Sequence, residues 1–207
     1  MTTFASFPAG SQELPRPRLT GMAKSSYGGP MPSPVGHALG GAIVGLLMER
    51  RHTPRAMALS VFAVAAILPD IDFLWGRHSM ETHSVGAAAL AGLAVLAWTR
   101  GRNPWLALAV SLAWSSHIVF DWLGSDETPP LGVMAFWPLT SKFYFAEAYV
   151  FEAITRRYWL PNFISHNAWA VAKEILMLGP LFLLVRAFRS REPRRSRHPG
   201  KGSRRRA

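Results

Sequence analysis

The chain of 207 residues contains no cysteine, and only 17% of its residues are charged. Without cysteine there is neither a disulfide framework nor a thiolate metal site. Any metal must be held by His, Asp and Glu, the harder ligand set. Residues 1–30 hold no continuous apolar run, so they do not read as a secretory signal peptide. Rich in Pro, Gly and Ser, they are expected to form a disordered extension, with Met31 the expected native start. The basic end of the chain lacks interleaved aromatics. Residues 186–207 carry ten Lys/Arg and one acid, Glu192, whereas the other 185 residues carry thirteen bases and eleven acids. Because that end follows directly on an apolar helix, contact with anionic membrane lipids is expected and a nucleic-acid partner is not.

What is present is apolar. Hydrophobic residues make up 49% of the chain, in runs at about 36–48, 56–69, 84–98, 104–123 and 168–188. Each run suits a helix and exceeds an ordinary strand. Gly36, Gly40, Gly41 and Gly45 give the first run a small face that admits a close neighbour. The runs are apolar all round, without the charged face of a soluble surface helix. Arg50, Arg51 and Arg55 follow the first run, Arg100 and Arg102 the third, and the basic tail the fifth. With five alternating spans these groups share one side, which the positive-inside rule makes cytoplasmic. The expected fold is therefore an all-α, multi-pass membrane bundle of about five main helices in the bacterial inner membrane. Residues 31–188 form the helical domain and 189–207 a basic disordered tail. A soluble helical bundle is the alternative, since several runs fall short of the roughly 20 residues a span needs.

The same alternation gathers the polar residues. His37 begins the first helix, Asp70 and Asp72 end the second, His83 begins the third, and His117 with Asp121 ends the fourth. All six fall at the end opposite the arginine loops, facing the periplasm in the membrane reading. His117 and Asp121, four apart, project from one helix face and can grip one ion. Asp70 and Asp72 follow Pro69, which ends or distorts its helix; in extended backbone both would point the same way. Six N/O donors exceed what one tetrahedral zinc takes. One or two divalent ions are therefore expected, with zinc favoured and manganese also fitting the donor set. The polar residues do not continue through the second and third helices, which argues against a metal transporter.

The segments "GHALGG", "LPDID", "RHSMETHS", "SHIVFDWLGSD" and "FWPLTSKFYF", in this order, resemble the bacterial YdjM-like family over roughly residues 31–188. Its members are membrane-bound, predicted metal-dependent hydrolases, also described as LexA-binding inner-membrane-associated hydrolases. The family is thought to be distantly similar to the all-helical zinc-dependent phospholipase C and P1 nuclease fold. The resemblance implies His37, Asp70, Asp72, His83, His117 and Asp121 as metal ligands and His78 as an outer participant. Ser79-Met80 departs from the Arg-Gly of many members.

Glu174, the one acid of the fifth run, reads as a further ligand, a general base, or a salt-bridge partner of Lys173. Asp72 and Glu174 are the candidate catalytic proton acceptors. His166 is a weaker candidate, and His52 and His198 carry no assigned role. The stretch between Leu123 and Ser165 reads as an aromatic interfacial belt, a surface-lying helix or a lid. There Lys142, Arg156 and Arg157 are candidates to meet a substrate phosphate. Together these features lead to the expectation of a membrane-bound metal-dependent hydrolase acting on a phosphoester or other small or lipid-like substrate. The alternative is a non-catalytic membrane protein whose structural metal supports binding to a repressor or envelope partner.

Overall fold

The computed structural model describes residues 32–49, 55–75, 78–125 and 131–191. The N-terminal extension, Arg50, Arg51, His52, Arg77, His198 and the tail from residue 192 lie outside the described residues. Among those described, five α-helices form and no strand does: α1 (Pro34–Met48), α2 (Arg55–Ile67), α3 (Val85–Trp98), α4 (Pro104–Trp122) and α5 (Phe163–Arg191).

The helix starts follow from local chemistry. Ser33 caps α1 by accepting from the Gly36 N–H, and Pro34 follows it in the first turn. Ser84 caps α3 through the Ala87 N–H, and Asn103 caps α4 through the Leu106 N–H ahead of Pro104. Each cap satisfies an orphan donor, and proline at the first position removes one. The second helix stops at Ile67 rather than running to 69. Pro69 cannot donate to the helical ladder, and the chain tightens into a 3-10 stretch, Leu68–Trp75. At its other end the fifth helix starts at Phe163, earlier than the expected 168, and runs on to Arg191.

α1 packs against α2, α4 and α5, and α3 packs against α4. The core is built from small side chains: Phe62 and Ala65 of α2 bury against Ala109, Val110 and Ala113 of α4. Gly41 lets α1 lie directly on the backbone of α2 at Phe62, where any side chain would collide. This is the use expected of the glycine face.

Residues 131–162 form no helix, so of the alternatives for this stretch the surface-lying helix is not the one found. Isolated bridges pair Gly124 with Phe151 and Val133 with Tyr144, laying this segment across the ends of α3 and α4. Of the described helices, α5 is long and apolar enough to cross a membrane: 29 residues, mean hydropathy 1.8 over its apolar window, and largely exposed. The apolar helices α1 and α3, with 15 and 14 residues, extend roughly 21–22 Å at 1.5 Å per residue. A hydrocarbon core is about 30 Å thick. The expectation of five spans is thus narrowed to one helix that meets the requirement by length and composition.

Candidate metal centre

Five side chains from four segments converge at one end of the bundle. Asp121, on the last turn of α4, is the hub. Its Oδ1 lies 3.2 Å from His37 Nε2, and its Oδ2 lies 3.0 Å from His117 Nε2 and 3.2 Å from His83 Nε2. Asp70 Oδ1 stands 3.6 Å from His117 Nε2 and 3.7 Å from His83 Nε2. The His37 and His117 rings stack with centroids 3.8 Å apart, and the His83 ring meets His117 edge-on. These five residues are among the six that alternation places at a common end. The one-turn spacing of His117 and Asp121 works as the helical period dictates.

The donor atoms carry their own test of fit. His37 Nε2, His83 Nε2, His117 Nε2, Asp70 Oδ1 and both oxygens of Asp121 are buried without a hydrogen-bond partner. Buried polar atoms normally find partners, so a group of orphans facing one another is the signature of an ion's ligand shell. Donors arranged tetrahedrally about 2.0–2.1 Å from one ion stand roughly 3.3 Å apart. The separations of 3.0–3.7 Å bracket that value. Histidine and carboxylate without thiolate suit zinc or manganese.

Outer contacts fix the rings. His117 Nδ1 donates to the Ala66 carbonyl at 2.7 Å; the carbonyl can only accept, so Nε2 keeps its lone pair for the centre. His83 Nδ1 faces Asp72 Oδ2 at 3.1 Å and Thr82 Oγ1 at 2.9 Å. Thr82 gives its proton to Asp72 at 2.7 Å. Both neighbours therefore accept from His83, and its Nε2 likewise faces inward.

Asp72 departs from the expected arrangement. Its oxygens are engaged by His78 Nδ1 at 3.0 Å, Thr82 and the far side of His83, so it stands behind a ligand rather than beside Asp70. The cause is backbone geometry. The sequence reading assumed extended chain, whereas residues 68–75 form a 3-10 turn with about three residues per turn, which swings positions two apart roughly 120° from each other. Burial works against the Asp72 charge. Hydrogen bonds from His78, His83 and Thr82 outweigh it and hold the carboxyl well below the usual carboxylate range. For His83, burial opposes the imidazolium, yet the neighbouring carboxylates of Asp121, Asp70 and Asp72 raise it well above the usual histidine range. A cation entering at Nε2 would displace a proton.

Glu174 is buried, but it serves the start of α1. It accepts from the Ser33 N–H at 2.6 Å and from the Ser33 hydroxyl. A Cβ on Gly36 would lie 2.7 Å from Glu174 Oε2, so the glycine makes room for it. Lys173 pairs with Glu152, not with Glu174, and His166 meets the Ala153 carbonyl and Glu152. Arg156 is close to the centre: its guanidinium lies over the Phe73 ring, which stacks on His78. Lys142 and Arg157, in the same segment, are exposed. Thr82 and the Ala66 carbonyl were not anticipated. Thr82 adjoins His83 in sequence and could have been weighed, but a backbone acceptor leaves no sequence signal.

Two groups here could hold a metal ion, His37 with His117 and Asp121, and Asp70 with His78 and His83, with access from the side of Asp70 and His78. Their side chains are 12% and 17% exposed, against 0–1% for His37, His83, His117 and Asp121. No curated protein and no solved structure matches the chain. Residues 31–192 match the family described as YdjM inner membrane protein, and on that match the chain belongs to that family.

Proposed function

We propose that this chain is a membrane-bound, metal-dependent hydrolase acting on a phosphoester or lipid-like substrate. The observation that carries the proposal is the set of buried, unpartnered His and Asp atoms facing one point. His37, His83, His117, Asp121 and Asp70 would hold the ion, probed first as zinc and then as manganese. Such an ion supplies Lewis acidity, polarising a substrate oxygen and activating water near neutral pH. The chain's own contribution is orientation: Ala66 fixes His117, while Asp72 and Thr82 fix His83. Asp70, the most open carboxylate of the group, would accept the proton of the attacking water through the oxygen that does not hold the ion.

The family description and helix α5 support a seat in the inner membrane. Exposed Leu90, Leu93, Leu108 and Leu112 on α3 and α4 support further lipid contact. In this arrangement the helices cross together as a bundle, the centre faces the periplasm and the basic tail faces the cytoplasm. Membrane lipids are then its surroundings and the source of its substrate.

The complete burial of four donors favours a second reading, a structural metal in a partner-binding membrane protein. One experiment separates the two. Metal content of detergent-purified protein, prepared without chelators, is measured beside the double variant His37→Ala, His117→Ala and followed by phosphodiester turnover. One equivalent of metal with turnover, both lost in a variant that keeps its helical circular dichroism, supports the hydrolase. Metal without turnover, and collapse of the variant, supports the structural role. Absence of metal from folded wild type sinks both.

A further inference from the structure

Arg156, in the 131–162 segment, is tied to the centre through Phe73 and His78. Its guanidinium carbon lies 3.3 Å from the centre of the Phe73 ring. Phe73 stacks on His78 with centroids 3.9 Å apart, and His78 bonds Asp72. Partial burial disfavours the Arg156 charge, and the carboxylates of Asp70, Asp72 and Asp121 act in its favour. The stack thus leads from the outer surface to the side on which Asp70 and His78 are open.

The chain holding Arg156 is fastened on both flanks. Ser125, just beyond α4, accepts from the Ala153 N–H, and its own N–H donates to the Phe151 carbonyl. From α5, Asn167 takes both polar groups of the Thr155 backbone: Oδ1 accepts the Thr155 N–H and Nδ2 donates to its carbonyl, each at 2.8 Å. His166 meets the Ala153 carbonyl. An exposed loop arginine ordinarily has freedom to swing. Here the residue before it is held by Asn167 of α5, Ala153 and Phe151 are held by Ser125 beyond α4, and the arginine side chain rests on an aromatic face.

We propose that Arg156 is the anion-recognition residue of this centre, binding the phosphate oxygens of a phosphoester substrate as its reacting atoms approach Asp70. The inference rests on the hydrolase reading and narrows its substrate to an anion. Three carboxylates surround the centre, more negative charge than one divalent ion cancels, so an anionic substrate needs a further cation at the entrance. A guanidinium is the fitting one, because it can form the paired N–H···O bonds that phosphate takes, and the Phe73 ring beneath it fixes its position. Asn167 acts on the substrate only through Arg156, as a positioning residue.

The test uses the full-length protein in detergent, with Arg156→Ala, Arg156→Lys and, as a charge control in an exposed loop away from the centre, Arg102→Ala. Binding of inorganic phosphate is read by calorimetry with and without added zinc. KM and kcat are read for bis(p-nitrophenyl) phosphate, for phosphatidylglycerol in mixed micelles, and for the uncharged p-nitrophenyl acetate. Arg156→Ala is expected to weaken phosphate binding about tenfold or more and to raise phosphoester KM similarly. Lysine should recover part of the loss, while metal content, acetate hydrolysis and the Arg102→Ala variant stay unchanged. An effect on the phospholipid alone would identify a lipid headgroup as the anion's source, and an effect on both phosphoesters the phosphate group itself. Unchanged phosphate affinity in a metal-loaded Arg156→Ala protein would overturn the inference, as would a wild type that binds no phosphate. If the wild type binds phosphate through Arg156 but hydrolyses nothing, the hydrolase reading fails and the anion site stands.

Discussion

His37, His117 and Asp121 form the inner half of the centre, and Asp70, His78 and His83 the outer half; each trio could by spacing hold an ion. The halves differ in burial and in outside contacts. The inner three are sealed among α1, α2 and α4, and Asp121 touches every imidazole that faces the ion. The outer half includes the two most open members, and one of them, His78, spends Nδ1 on Asp72 and keeps Nε2 without a hydrogen-bond partner. His83 links the halves, but its single inward nitrogen can serve one ion. The difference teaches that the inner half is built to hold and the outer half to admit. On that basis one tightly held ion is expected, with at most a weaker second one.

The comparison breaks most sharply at Asp121. Asp121→Ala removes the group all three inward imidazoles share and leaves three buried nitrogens facing one another. Loss of more than ~100-fold in metal affinity is expected, beyond the 10- to 100-fold typical for a group that only orients a ligand. Equilibrium dialysis against zinc measures it. A variant that holds zinc as well as wild type would show that the inner half is not the holding site.

Asp72→Asn comes next. It keeps the shape but removes the charge that orients His83 and accepts from Thr82 and His78. A fall of about 10- to 100-fold in zinc affinity is expected, with stoichiometry unchanged. The variant also bears on how legible the site was. Helical alternation brings His37, His83, His117, Asp70 and Asp121 to one end whatever the side-chain detail, because four helices of similar length joined by short connections must return there. The division of labour between Asp70 and Asp72 was not legible. It depends on the twist of eight residues after Pro69, and nothing in "LPDIDF" distinguishes extended chain from a 3-10 turn.

A smaller effect is expected at His78. In His78→Ala the inner donors are untouched, so metal content should remain at one equivalent and affinity should change less than about tenfold. Mass spectrometry of the native protein would sharpen the contrast between the halves: two equivalents in wild type falling to one in this variant would give the outer half an ion of its own.

Glu174 tests where the centre ends. By sequence it stands out as an isolated acid in an apolar helix, the pattern that marks a functional residue within a membrane. Its position gives it other work, since it closes the start of α1 by accepting from both the backbone and the hydroxyl of Ser33, four residues ahead of His37. A carboxylate there also meets the positive end of the helix. Removing it leaves the Ser33 donors buried without an acceptor, a cost of about 1–3 kcal/mol. Glu174→Ala should therefore lower the thermal unfolding midpoint while zinc stoichiometry stays at the wild-type value and affinity shifts only slightly. The expected pattern is the reverse of that for Asp72→Asn, which weakens zinc and leaves the apoprotein's unfolding closer to wild type. If Glu174→Ala instead abolished turnover in a protein with wild-type stability and metal content, Glu174 would belong to the chemistry, and α5 would contribute to the centre as well as to the membrane seat.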